Sequence, residues 1–105
     1  MKYSFTLVMI ISALLLSLSA CGEETTVVES GTYIGTVSEV NPDETEIYVA
    51  LDSGELIELY FTDETTLEQN DEEVPFSTIE ADDRIEVTVE KTGQRLDPVT
   101  VVILD

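Results

Sequence analysis

Glu46-Ile47-Tyr48-Val49-Ala50-Leu51-Asp52-Ser53-Gly54-Glu55-Leu56-Ile57-Glu58-Leu59-Tyr60-Phe61-Thr62 decides the fold. Side chains alternate in direction along a strand. Ile47, Val49 and Leu51 therefore share one face, with Glu46, Tyr48 and Ala50 on the other. After Asp52-Ser53-Gly54 the alternation resumes, with Ile57, Leu59 and Phe61 on one face and Leu56, Glu58 and Tyr60 on the opposite one. Gly54 is free to take positive φ, so the stretch reads as two antiparallel strands joined by a tight turn. Tyr48 and Tyr60 are expected to meet on the outer face of this hairpin.

Upstream, Tyr33 to Val40 reads as a strand interrupted by Gly35, a residue that marks a bulge or the close approach of another backbone. Asn41-Pro42-Asp43-Glu44 is a turn, because Pro presets φ at its second position. Downstream, Asp63 to Leu67 reads either as a turn with a short strand or as one helical turn, and 68–73 as a polar loop. Ser77 and Glu80 have capping-box spacing for a short helix that turns Ile79 inward. Arg84 to Glu90 alternates again, with Ile85, Val87 and Val89 inward. Lys91-Thr92-Gly93 is a second tight turn. The last strand runs from about Gln94 to Leu104, with Pro98 at a bulge, an edge or a strand start. Val99, Val101 and Ile103 form its expected inward set; Val102 and Leu104 lie opposite, which implies cover on both faces or a bulge.

The fold class is therefore all-β: a small five- to six-stranded barrel with a short helical link between the third and fourth strands, spanning 32–105. Closure removes unpaired edges, and side chains fill the interior. Three meandering strands, a helical link and a final hairpin resemble the OB-like barrel. Gly35-Thr36-Val37, Thr62-Asp63-Glu64-Thr65-Thr66-Leu67 and Ile79-Glu80-Ala81-Asp82-Asp83-Arg84-Ile85-Glu86-Val87 resemble a bacterial group of exported OB-like domains, with Asp82 where that group usually has Gly. The resemblance implies a barrel and carries over no catalytic residue.

The chain opens with Met1-Lys2-Tyr3 and then an uncharged run of fourteen residues, Phe5 to Leu18. A membrane span needs about 20 apolar residues. A positive start, a short apolar middle and small residues before a cut describe a secretory signal over 1–20. Leu18-Ser19-Ala20-Cys21 resembles the lipobox of bacterial lipoproteins. That resemblance implies cleavage between Ala20 and Cys21, diacylglycerol on the Cys21 sulfur and an acylated new amino terminus. Two or more acyl chains hold a protein firmly at a membrane, where one does so marginally. The expected location is the cell envelope; in a Gram-negative host, Gly22 after the cysteine implies the outer membrane, facing the periplasm. Residues 21–31 read as a polar, acidic tether, of which ten extended residues reach about 33–36 Å.

Removing 20 of the 105 residues leaves 85, in which 23 acidic residues oppose Arg84, Lys91 and Arg95, a side-chain charge of −20. Nucleic-acid binding relies on Lys and Arg displacing counterions from phosphates, so that class of partner is excluded. A protein with a basic surface is the electrostatically favoured partner, and Tyr48 and Tyr60 are its candidate contacts. The alternative is a calcium-binding lipoprotein, with Glu80, Asp82 and Asp83 as the acidic cluster; no cluster matches the twelve-residue calcium loop. The chain has no His, and its single Cys is assigned to lipid, so the commonest catalytic base and the thiol nucleophile are missing. No catalytic residue and no cofactor are implied.

Overall fold

The hairpin forms as its alternation dictates. In a computed structural model that describes residues 24–104, β2 (Glu46–Leu51) and β3 (Leu56–Tyr60) pair antiparallel, with Val49 opposite Ile57 and Ile47 opposite Leu59. All four side chains are buried. The signal segment, the Ala20/Cys21 junction and the first tether residues lie outside the described residues.

Around the hairpin, β1 (Gly31–Asn41), β4 (Thr66–Gln69), β5 (Glu72–Glu73), β6 (Arg84–Thr92) and β7 (Arg95–Ile103) complete one seven-stranded sheet in the order β3-β2-β1-β6-β7-β4-β5. The added strands fall in 63–83: β4 pairs parallel with β7 over Thr100–Ile103, and β5 folds back on β4. Because β4 follows β3 in the chain, the sheet curls until β3 approaches β7. The result is an OB-like barrel whose β3 and β7 come close without a hydrogen-bonded ladder, here termed the seam.

The helical link is a single 3-10 turn, Phe76–Thr78. The expected capping box does not form. Ser77 lies inside the turn, Pro75 precedes it without a side-chain cap, and the Glu80 N–H donates to Asp83 Oδ2 at 2.9 Å. Ile79 is nonetheless buried, as its spacing requires.

Gly35 marks a close approach. A Cβ there would lie 2.6 Å from the Ala50 carbonyl oxygen, so only glycine lets β1 and β2 come this near. The β1 bulge falls instead between Val37 and Glu39. A second bulge puts Thr88 opposite Thr100 but Val89 opposite Pro98, leaving Val99 as the extra residue. This reverses the parity of β7. Pro98 turns inward and is buried, while Val99, expected in the core, is 39% exposed.

The tether expected over 21–31 is docked along part of its length. Val28 is 9% exposed and belongs to the core cluster, with Val27 packed beside it. The Thr26 N–H donates to the Leu56 carbonyl at 2.8 Å, the Tyr33 hydroxyl donates to the Glu29 carbonyl, and Lys91 pairs with Glu29 at 3.1 Å. Residues 26–30 thus run from β3 towards β6 as a strap on the barrel.

Candidate functional site

The register of β2 and β3 places Tyr48 opposite Glu58 and Glu46 opposite Tyr60. The two acids are therefore diagonal neighbours on the outer face, within reach for long side chains. The Tyr60 hydroxyl donates to Glu58 Oε2 at 2.9 Å and the Tyr48 hydroxyl donates to the same oxygen at 3.3 Å. The expected meeting of Tyr48 and Tyr60 therefore takes place through a shared carboxylate. Asn41 Nδ2 donates to Glu46 Oε1 at 2.8 Å.

Glu46 is the buried charged residue of the described barrel, at 3% exposure. Its carboxyl and that of Glu58 lie near enough to perturb each other's ionisation: the interaction raises the Glu58 pKa, with burial adding to it, and lowers that of Glu46, helped by Asn41 and the two hydroxyls against the cost of burial. Two interacting carboxyls titrate as a pair, and between the depressed pKa of Glu46 and the raised pKa of Glu58 they hold one proton between them. Tyr48 is pushed up to about 12, first by burial and then by the charge of Glu58 and Glu46. Tyr60 is raised as well, chiefly by its hydrogen bond to Glu58. The arrangement ties the hairpin together.

Beyond Tyr60 the seam opens into a groove of about 730 Å³, lined on one side by Tyr60, Thr62, Asp63 and Glu64 and on the other by Glu90 and the first residues of β7. Tyr60 is 46% exposed, and Val99 stands on the opposite wall. Arg95 is the basic residue of the lining, and Asp97 neutralises it: Nε donates to Oδ1 at 2.8 Å and a terminal nitrogen donates to Oδ2 at 3.3 Å. Asp63, Glu64 and Glu90 form no ion pair with a described residue. The groove is thus acidic at its rim and partly apolar on its walls. Sequence alternation placed Tyr60 on the outer face. The groove itself was hidden, because it depends on where β7 bulges and on where β3 ends.

Glu80, Asp82 and Asp83 share the turn before β6. Glu80 and Asp82 are exposed, and one Asp83 oxygen is taken by the Glu80 N–H. Among the described residues, no three His, Cys, Asp or Glu side chains converge in a manner suited to a metal ion.

No family model matches the chain, and no curated protein matches it. Solved structures do. A copper(II) form of a CusF variant from Escherichia coli superposes with a TM-score of 0.58 at 12% identity, over 80% of this chain and 100% of that one. The silver(I) form of CusF from the same organism gives 0.57 at 12% identity, over 73% and 94%. Apo-CusF gives 0.54 at 12% identity, over 80% and 100%. At this identity the likeness is one of fold: this chain is a small OB-like barrel, with an acidic groove at its seam.

Proposed function

We propose that the protein is a lipid-anchored, non-catalytic binding module of the cell envelope whose ligand face is the seam. The observation that carries the reading is the groove itself, where the exposed Tyr60 and Val99 line the walls and the carboxylates of Asp63, Glu64 and Glu90 are neutralised by no described base. Tyrosine supplies rigid, amphipathic contact area at interfaces. The lipobox at Leu18–Cys21 supports anchoring through acyl groups on Cys21, on the outer membrane in a Gram-negative host. The bonds from Asn41 to Glu46 and from Tyr48 and Tyr60 to Glu58 support a structural role for the two carboxyls.

The neighbours' metals do not come with the fold. Soft cations prefer thiolate, thioether and imidazole ligands. This chain has no His, and Met1, Met9 and Cys21 all precede residue 24. The described barrel offers neither the soft ligands that silver(I) prefers nor the imidazole that suits copper(II), so its residues do not fit the neighbours' metals. A protein partner with a basic surface fits the groove better.

Two measurements test the reading. Intact mass of the membrane-extracted protein is expected to show loss of residues 1–20 and addition of acyl groups; an unmodified Cys21 overturns the anchoring. Crosslinking from position 62, beside Tyr60 in the lining of the groove, in intact envelopes is expected to capture a defined partner that Tyr60→Ala loses. Capture that is indifferent to Tyr60→Ala and Tyr48→Ala overturns the assignment of the face.

A further inference from the structure

Taking the binding-module reading as given, we propose that the outer edge of β3 at Glu58–Tyr60, with the adjoining groove, takes an extended lysine- or arginine-bearing segment of a partner protein as an added β-strand.

The polarity of the edge follows from three bonds. The Leu51 N–H donates to the Glu55 carbonyl and the Phe61 N–H to the Thr45 carbonyl, each at 2.8 Å. Odd-numbered residues of β3 therefore bond towards β2. Main-chain groups alternate in direction along an antiparallel pair, so those of Leu56, Glu58 and Tyr60 point away from β2, towards the seam. The Leu56 carbonyl accepts from Thr26 N–H at 2.8 Å. The edge thus already takes a main-chain donor at its first residue. At Glu58 and Tyr60 the outward N–H and C=O groups meet no main-chain partner among the described residues.

The opposite wall is not an equivalent template. β4 covers β7 only over Thr100–Ile103, but before that point stands Pro98, which has no N–H and whose carbonyl accepts from the Thr65 hydroxyl at 2.9 Å. Proline is one of the devices that protect exposed edges. Between its flanking turns β3 reads Leu56-Ile57-Glu58-Leu59-Tyr60, without proline or lysine. One edge is guarded by proline; the other carries no such guard but faces the seam, where β7 and residues 25–27 lie near Glu58 and Tyr60, so an added strand has to part the seam there.

Charge selects the occupant. Asp63 and Glu64 on one wall and Glu90 on the other frame the groove, and Arg95 is held by Asp97. A second copy of the chain brings the same carboxylates to the same place and is repelled. A segment alternating basic and apolar residues satisfies both features, its bases at the rim and its apolar side chains against Tyr60 and Val99. In strand addition the main-chain bonds supply affinity and alternate side chains supply specificity.

The test titrates the full lipidated chain, held in detergent micelles, with a synthetic peptide alternating lysine and valine. Its readouts are the dissociation constant and amide hydrogen exchange at Glu58 and Tyr60. Expected results are slowed exchange at both amides, and loss of binding when the peptide's edge-facing nitrogens are methylated, which preserves its charge. D63N/E64Q/E90Q, three changes at the groove rim, is expected to weaken binding about tenfold or more at low salt. Equal binding of the methylated peptide, unprotected amides at Glu58 and Tyr60, or no binding at all overturns strand addition. Partner capture lost with Tyr60→Ala but without protection of these amides leaves the binding-module reading standing and removes this one alone.

Discussion

Glu58 and Glu46 respond to pH in opposite senses, and together they shape the stability profile. Glu58 is raised above its ordinary 4.5 by its interaction with Glu46, so ionising it costs stability in the folded state, and that cost is relieved as pH falls through its raised pKa. Glu46 is lowered below 4.5 by the same interaction, so its contribution is present above the ordinary value and is lost as pH falls through the depressed one. Stability should therefore rise on acidification from neutrality, peak near the ordinary value of 4.5 and fall from there down to the depressed pKa of Glu46. Glu58→Gln removes the upper limb, and at neutral pH it should stabilise the chain by roughly 0.2–1 kcal/mol, the scale of a cross-strand like-charge pair. Urea unfolding between pH 4 and 8 checks this, with exposed Glu72→Gln as the control for general charge reduction; parallel profiles for the two variants would refute the shared proton. Gly35 gives a prediction of plain sterics. A methyl group 2.6 Å from a carbonyl oxygen must push β1 off β2, so Gly35→Ala should cost about 1–3 kcal/mol, read from the same urea midpoint.

Elements that obey a single period were legible before any coordinates. β2, β3 and β6 each carry a strict two-residue alternation, and each buries the face that the pattern assigns. Legibility fails where a bulge resets the parity. Val99 looks inward by counting back from Ile103, but the extra residue opposite Thr88 and Val89 turns it out and puts Pro98 in its place. It fails again where long-range packing decides. Val27 and Val28 are two apolar residues in a polar stretch, with no periodicity, and their burial depends on a seam between strands that follow them by about 30 residues or more. Glu46 occupied an outer-face position on the alternation, and nothing in that pattern signals that a diagonal glutamate and an asparagine side chain will enclose it. The strap makes a prediction at this scale. Val28→Ala removes about two methylene equivalents from the core at ~0.8 kcal/mol each, so a loss of about 1–2 kcal/mol is expected. Replacing exposed Thr25 by Ala should leave the midpoint within about 0.5 kcal/mol. Equal effects would show that residues 26–30 are tether after all.

At the scale of the whole molecule, the formal charge of −19 opposes the fold. The described bases are all spent on local pairs: Arg84 with Asp52 at 2.8 Å, Lys91 with Glu29 and Arg95 with Asp97. Folding gathers the remaining carboxylates onto one small surface, where their mutual repulsion destabilises the compact state. Added salt has two effects of opposite sign. It weakens the three exposed pairs, each worth about 0–1 kcal/mol, and it screens the repulsion among many more like charges. The Debye length falls from about 30 Å at 0.01 M to about 8 Å at 0.15 M, which is from longer than the barrel is wide to shorter. The second effect involves far more charge pairs and should win. The melting temperature is therefore expected to rise with sodium chloride over this range and then to level off. For a domain of 60–100 residues, 1 kcal/mol corresponds to roughly 4–8 °C, so the rise should be several degrees and readily measured by thermal scanning. A fall instead would mean that the three ion pairs outweigh the repulsion. The same scan with calcium chloride at matched ionic strength separates screening from a site: a further rise that saturates at low calcium and is lost in D82N/D83N would assign the turn at Glu80, Asp82 and Asp83 a cation, and coincident curves would count against a calcium site.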